Sequence, residues 1–435
     1  MTTTFTPDHA SALGGPDWLR DRRVAAATEA AGQDLPSVDE EVWRYSRIDE
    51  LELDAFAPAS ADAGTVGVVP AGAQAVLDGF VTRAGALVVH NGRLVHTELA
   101  AEVAARGVTL GRIADLDDGA AVLGSVATEA QDVFGLLNDA FSIDPIALVV
   151  PRGVVVEQPV VVVDWVDHEG IATFPRLVVK VGEDAEVEVL EYKGGGSGAA
   201  LTVPVTELDV AQAGRLRYLD VQLRGNATWQ VGHQVSTVGQ DANLVAAQAA
   251  LGGDYARTRA DCRLAGRGAS GDLVAVYLGE GDQTLDFRTF QDHAAPDTTS
   301  NLLFKGAVGG HSRSVYTGLI RVRPEGRGTN AFQTNRTVKL SEHAWAESVP
   351  NLEIENNDVH CSHASTVGPI DEDQRFYLES RGIPPQVAER LVVEGFLFEA
   401  LSQMPMAEAT TAVWREIAQR LARQVEAEYA EPVPA

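Results

Sequence analysis

The chain has 435 residues, which is enough for two or three domains or for one large elongated domain. Its 62 acidic residues outnumber its 34 basic residues, and the net charge of −28 argues against nucleic acid and anionic membrane surfaces as partners. No run of about 18 apolar residues occurs, so we expect no transmembrane helix. The N-terminus lacks the features of a secretory signal and only two cysteines are present, so we expect a cytoplasmic protein.

The N-terminal part of the chain mixes helical and extended patterns. Residues 16–31 have the apolar spacing of a helix, and a further helix is predicted over residues 127–140. Residues 54–75 are rich in Ala, Pro, Gly and Ser and are predicted to be a linker. Residues 86–90 are predicted to be a strand that enters a tight turn at Asn91-Gly92, because this pair accepts positive φ angles at low cost.

Residues 147–368 have a different pattern, in which short runs of β-branched and apolar residues alternate with glycine-containing turns. The runs recur roughly every 8–15 residues, and no convincing helical segment lies between them. This pattern argues against an alternating βαβ sheet and leaves a sandwich, a barrel or a β-solenoid. About 200 residues is long for one sandwich and favours the solenoid, and no exact repeat is visible.

The C-terminal residues 369–435 are predicted to be helical. Asp371 is the expected N-cap of a helix ending near Arg381, and two further helices are predicted over residues 384–401 and 406–429. One face of the second helix is predicted to comprise Ala388, Leu391, Val392, Gly395, Phe396 and Glu399. The chain is therefore predicted to be mainly β, with an N-terminal helix-rich domain (1–146), a β core (147–368) and a C-terminal helical domain (369–435).

The densest set of reactive side chains lies between Glu353 and His363. Cys361 and His363 are two residues apart, so in a strand they project to one face, and His360 points away. Both residue types bind zinc and iron, but two side chains cannot complete a tetrahedral shell. A metal here would need ligands from elsewhere in the fold or from a partner chain. The alternative is a structural cysteine beside surface histidines.

Three carboxylates precede this pair and permit a second interpretation. Glu353 and Glu355 would share one face of a strand, and Asp358 follows three residues later. Paired carboxylates perform general acid–base chemistry, as in a carbohydrate-active enzyme built on a β-solenoid. On a strongly acidic chain, the same pattern is also typical of a solvated edge. A third possibility is a structural binding protein with an inert Cys361.

Aromatic residues in the C-terminal helices indicate a surface for a partner. Phe376 and Tyr377 precede Arg381 on a short helix, and Phe396 and Phe398 follow on the next. Some of these side chains must pack on the body of the protein. Those left exposed would form an apolar docking patch, for which we single out Phe376, Tyr377, Arg381 and Phe396.

Several motifs together resemble the SufB/SufD family of iron–sulfur cluster assembly subunits, and the length and small number of cysteines resemble SufD more than SufB. The motifs that carry this resemblance are Pro350-Asn-Leu-Glu-Ile354, Asp358-Val-His-Cys-Ser-His363, Thr366-Val-Gly368, Phe376-Tyr-Leu378 and Ser380-Arg-Gly-Ile383. One departure is Ala364-Ser365, where the family usually has Gly-Ala.

The resemblance implies a right-handed parallel β-helix between N- and C-terminal helical domains. It implies a non-catalytic scaffold that pairs end to end with a SufB-like paralogue, or with itself when alone, and whose C-terminal helices dock a SufC-like ABC ATPase. His363, with Cys361, would then belong to a shared site at the SufB interface where a nascent Fe–S cluster forms. The resemblance implies no cofactor bound stably by this chain alone. Complexes of the family are also associated with reduced flavin, for which no residue can be assigned.

Overall fold

The computed structural model describes residues 4–60 and 62–430, with side chains described as far as residue 425. It is mainly β, with a parallel β-solenoid of about eight turns and helical regions at both ends of the chain. The predicted fold class is therefore confirmed. Within the described part of the chain, no helix is both long and apolar enough to cross a membrane.

The N-terminal region contains six helices, four strands and short 3₁₀ turns within its described residues. The helices are α1 (Pro7–Ala12), α2 (Asp17–Ala30), α3 (Ala71–Asp78), α4 (Ala101–Ala104), α5 (Gly119–Val122) and α6 (Val133–Phe141). The strands are β1 (Ala57–Pro58), β2 (Gly85–His90), β3 (Arg93–Leu99) and β4 (Thr109–Arg112). The 3₁₀ turns span Glu41–Trp43, Ile48–Glu50, Leu53–Ala55 and Ile113–Asp115.

Local signals predicted several of these elements. The hairpin of β2 and β3 turns at Asn91 and Gly92, whose φ angles are 50° and 84°, as expected for this pair. The linker prediction was wrong, because residues 54–75 contain β1 and the start of α3; Ala61 lies outside the described residues. The helix predicted over 127–140 begins later, because the Asp132 side chain accepts hydrogen bonds from the Phe134 and Gly135 amides and caps it there.

The solenoid consists of two sheets that face each other across the core. Its strands are β5 (Ile146–Val150), β6 (Val160–Val166), β7 (Ile171–Thr173), β8 (Arg176–Val181), β9 (Glu186–Gly195), β10 (Ala200–Thr202), β11 (Val205–Val210), β12 (Arg215–Gln222), β13 (Thr228–Val238), β14 (Asn243–Ala250), β15 (Tyr255–Leu264), β16 (Ser270–Gly279), β17 (Thr284–His293), β18 (Thr299–Val308), β19 (Arg313–Val322), β20 (Asn330–Lys339), β21 (Trp345–Ile354) and β22 (His360–Pro369). One sheet has the order β21-β19-β17-β15-β13-β11-β8-β5-β4, and the other β22-β20-β18-β16-β14-β12-β9-β6-β2-β3.

The two ends of the solenoid differ. At the N-terminal end, the antiparallel strands β3 and β4 form the last members of their sheets. At the C-terminal end, β21 and β22 are the last strands, and each is paired on one side only within the described residues. Parallel strands with a free edge present unpaired backbone N–H and C=O groups, so this end is open to another chain.

In the described part of the chain, three helices follow the last strand, and the second and third of them pack on the outer face of the second sheet. They are α7 (Glu372–Ser380), α8 (Pro385–Leu401) and α9 (Ala407–Ala430). Asp371 accepts a hydrogen bond from the Gln374 amide, which confirms the predicted N-cap. The predicted face of α8 lines a groove, and a different face of the helix packs on the sheet. Of the six members of the predicted face only Ala388 is buried, and the side chains that join the apolar cluster on the sheet are Val393, Leu397, Ala400 and Leu401.

Candidate functional site

Strand β22 carries the predicted ligand pair at the open end of the solenoid. It lies parallel to β20, with Cys361 beside Ala331 and His363 beside Gln333. The C-terminal motif therefore forms the last strand of its sheet, and no described strand covers its other edge.

The side chains of Cys361 and His363 point toward the inside of the solenoid. On the neighbouring strand, Ala331 and Gln333 are buried at 0% and 1% exposure, whereas Phe332 is 45% exposed. Neighbouring residues of parallel strands in register project to the same side, so the partners of these two buried residues face inward. The spacing of two residues thus places Cys361 and His363 on one face, as the sequence predicts.

Cys361 is half-buried in the last apolar layer of the core. It packs against the cluster formed by Ile320, Val322 and Ala331. Desolvation raises the pKa of the Cys361 thiol, and a hydrogen bond with the Ala331 backbone opposes this rise. The thiol is therefore predominantly protonated at neutral pH, and it needs a metal ion or a positive group from elsewhere to become a thiolate.

His363 faces inward and is nevertheless exposed. The reason is that β22 is the last strand of its sheet, and no further coil lies above it among the described residues. Within the described ranges, its ring takes part in no hydrogen bond or ion pair, so the imidazole is free to bind a ligand.

This pair does not make a complete metal site. In the part of the chain that the structure describes, no three His, Cys, Asp or Glu side chains are grouped closely enough to hold a metal ion. The prediction was that a metal here would need ligands from elsewhere in the fold or from a partner chain. It stays a prediction, and among the described residues the fold brings no such group to the pair.

Glu353 and Glu355 do not join Cys361 and His363. Glu353 lies beside Arg321 in the register of β21 and β19, on the outer side of the sheet. Arg321 approaches Glu353 to 3.9 Å and Glu355 to 3.0 Å, so both carboxylates are held by one exposed guanidinium group. Such exposed pairs contribute about 0–1 kcal/mol and are typical of a solvated edge. The arrangement does not support an acid–base centre in which these carboxylates face a common substrate.

The remaining cysteine and one histidine have structural surroundings. Cys262 is fully buried, and desolvation raises its pKa to about 11. Burial lowers the pKa of His293 to about 4, and its two ring nitrogens make hydrogen bonds with Thr298 and Ser300. Both side chains belong to the core.

Polar residues inside the last coils were missed by the sequence reasoning. Asn335 donates a hydrogen bond to the Ser348 hydroxyl over 2.9 Å, and the Ser365 hydroxyl lies 2.7 Å from that of Ser348. These contacts connect β20, β21 and β22 from the inside. The signal in the sequence was Gln333, Asn335 and Thr337, which alternate where a core strand would have apolar residues.

The predicted docking residues divide between an exposed patch and a groove. Phe376 and Tyr377 are 71% and 57% exposed, and the Arg381 guanidinium lies 5.2 Å from the Tyr377 ring. Phe396 is half-buried instead, because the buried Lys305 ammonium packs 4.4 Å from its ring. Phe396 and Tyr377 both line a groove of about 880 Å³ between α7, α8 and the outer face of the sheet.

Comparison with known proteins gives one consistent result. The family model described as "SUF system FeS cluster assembly, SufBD core domain" matches residues 165–396, more than half of the chain and including Cys361 and His363. The iron–sulfur cluster assembly SufBD family protein of Mycobacterium bovis is 35% identical over 309 residues, which cover 68% of this chain and 76% of that protein. That of Mycobacterium leprae is 30% identical over 397 residues, covering 89% of this chain and 90% of that protein. A relative from Staphylococcus epidermidis is 25% identical over 284 residues, covering 65% of this chain and 61% of that protein. The chain belongs to the SufB/SufD family of iron–sulfur cluster assembly proteins.

Proposed function

We propose that this chain is a SufD-like scaffold subunit of the SUF machinery, and that its open solenoid end pairs with a SufB-like paralogue. The observation that carries the proposal is the inward-facing row of β22, the side chains of Cys361 and His363. Cys361 and His363 point into the solenoid, yet His363 is exposed because no coil in the described part of the chain covers it. A second chain that stacks on this end would enclose both side chains.

The physical chemistry of the open end supports such pairing. The free edges of β21 and β22 offer backbone hydrogen bonds to an added strand. Large apolar side chains that remain exposed near this end include Phe332, Ile354 and Val367. Contact with a partner would remove these side chains from water, at about 25 cal/mol for each Å² buried. In the absence of the paralogue, the same edges would pair with a second copy of the chain.

The proposed chemistry at this end is the transient holding of iron and sulfide as cargo. Cys361 and His363 provide a sulfur and a nitrogen ligand, both of which suit iron in a cluster. Since two ligands leave the coordination incomplete, the paralogue would supply the others. An incomplete, shared site also permits release of the cluster. The chain itself would be non-catalytic and hold no resident cofactor, and any reduced flavin would bind elsewhere in the complex.

The C-terminal helices are proposed to dock a SufC-like ABC ATPase. Phe376 and Tyr377 form an exposed aromatic pair beside Arg381, and aromatic and arginine side chains are enriched at the centres of interfaces. Helix α7 has no buried residue, so the solenoid alone does not fix it strongly. Phe396 would contribute through the groove beside this pair.

The experiment is cluster assembly by the reconstituted complex with His363→Ala, compared with His360→Ala as the matched control. His360 is an exposed histidine on the same strand that lies beside Asn330 and outside the inward row. His363→Ala is expected to reduce the assembly rate at least tenfold and leave pairing intact, whereas His360→Ala is expected to change it less than twofold. Equal rates for the two variants would overturn the site assignment.

A further inference from the structure

Gln333 is a buried side chain whose amide atoms are unpaired in the described part of the chain. It is 1% exposed, and neither its amide oxygen nor its amide nitrogen has a hydrogen-bond partner among the described residues. Leaving a buried polar group unpaired costs about 1–3 kcal/mol. Such groups are few in native proteins, and each one calls for an explanation.

The absence of a side chain at Gly318 makes room for the Gln333 amide. On the opposite sheet, a Cβ atom at Gly318 would lie only 2.5 Å from the Gln333 amide nitrogen. Glycine at this position therefore leaves the room that the amide fills. The neighbouring Tyr316 hydroxyl makes its hydrogen bond with Thr289, and none with Gln333.

The next coil places His363 directly over Gln333. The two residues are partners in the register of β20 and β22, and parallel strands lie about 4.8 Å apart. Both side chains face inward. One has two unpaired amide atoms, and the other has an imidazole ring without a hydrogen bond in the described structure.

We propose that Gln333 is the positioning residue for His363. Its amide oxygen accepts a hydrogen bond from one imidazole N–H, reached by rotation of the two side chains, and this directs the other, unprotonated nitrogen toward the open end. A histidine that binds a metal almost always has its second nitrogen held in this way, which fixes the tautomer and the ring orientation. The inference rests on the proposed function of His363, and it names the residue that prepares the histidine for its ligand.

The chain offers a matched control in Gln291. This glutamine is also fully buried, and both of its amide atoms also lack partners. Its partner on the neighbouring strand β19 is Ile320, and the partner of Ile320 on β21 is Leu352, so no histidine lies above Gln291 in this register. Gln333→Leu and Gln291→Leu therefore remove the same buried amide, and only the first removes it from beneath His363.

The first measurement uses the isolated full-length chain and does not depend on cluster assembly. Nitrogen-15 NMR of His363 reports which ring nitrogen carries the proton. We expect one dominant tautomer in the native chain and in Gln291→Leu, a tautomer mixture in Gln333→Leu, and a single tautomer again in Gln333→Glu, which retains an oxygen acceptor at the same reach. A tautomer ratio unchanged by Gln333→Leu would overturn the inference.

The second measurement is the assembly rate of the reconstituted complex. Removal of a side chain that orients a metal-binding histidine typically reduces metal affinity or activity by 10–100-fold. We expect a loss of about tenfold for Gln333→Leu, a change under twofold for Gln291→Leu, and partial recovery for Gln333→Glu. If His363→Ala impairs assembly and Gln333→Leu behaves like Gln291→Leu, the positioning role is wrong and the proposed function stands. If His363→Ala has no effect, the proposed function itself fails.

Discussion

The packing of α8 on the solenoid can be tested by one pair of leucine substitutions. Leu397 is fully buried in the cluster shared by α8, α9 and the outer face of the sheet, whereas Leu391, on the same helix, is 40% exposed at the groove. Leu397→Ala removes buried methyl groups and leaves a cavity, at a cost of about 2–5 kcal/mol. Leu391→Ala removes a side chain that is already partly in water and should cost less than about 1 kcal/mol.

Hydrogen exchange of residues 385–401 measures this difference at the helix itself. A loss of about 3 kcal/mol in the local opening free energy corresponds to exchange more than a hundredfold faster in Leu397→Ala. Urea unfolding of both variants provides the global comparison. The packing described here would be refuted if Leu391→Ala accelerated exchange as much as Leu397→Ala, because the helix would then bury the face predicted from the sequence.

Three further predictions concern the solenoid and its docking surface. Gly306→Ala places a Cβ against the Tyr277 ring and should cost at least about 1–3 kcal/mol in thermal unfolding, whereas Gly368→Ala, with open space around it, should stay within about 0.5 kcal/mol. His293 binds fewer protons in the native state than in the unfolded chain between pH 4 and 6.5, so the free energy of unfolding should fall by up to about 3 kcal/mol as the pH falls through this range. His293→Gln should flatten this pH dependence, and an unchanged slope in the variant would contradict the prediction. Replacing Phe376 and Tyr377 together by Ala should weaken capture of a SufC-like ATPase more than tenfold, and a pull-down that retains full binding would exclude this patch.

The elements that were predicted correctly depend on local chemistry. The turn at Asn91-Gly92 follows from the φ preferences of two residues, and the start of α7 follows from the Asp371 side chain. The length and spacing of the strands favoured a solenoid over a sandwich or a barrel, and the family resemblance implied the parallel β-helix. Its coils are not an obvious repeat because their length varies. Leu273 and Leu302 are partners 29 positions apart, and Leu302 and Gln333 are partners 31 positions apart.

The features that were missed depend on contacts between distant parts of the chain. Helix α8 has two apolar stripes, and the sequence does not distinguish the stripe that meets the sheet from the one that lines the groove. Glu353 follows Arg321 by 32 positions, and their pairing is visible only once the register of β19 and β21 is known. The same holds for Gln333, whose position beneath His363 depends on a strand pairing across 30 residues.

We propose that a partner chain stacks on the open end of the solenoid and thereby encloses Cys361 and His363. Alkylation of Cys361 by iodoacetamide measures this most directly, with the fully buried Cys262 as an internal blank in the same sample. We expect modification of Cys361 in the isolated chain, kept dilute enough to be monomeric, and strong protection when a SufB-like paralogue is bound. An equal rate of Cys361 modification in the isolated chain and in the complex would contradict the proposed enclosure of the pair.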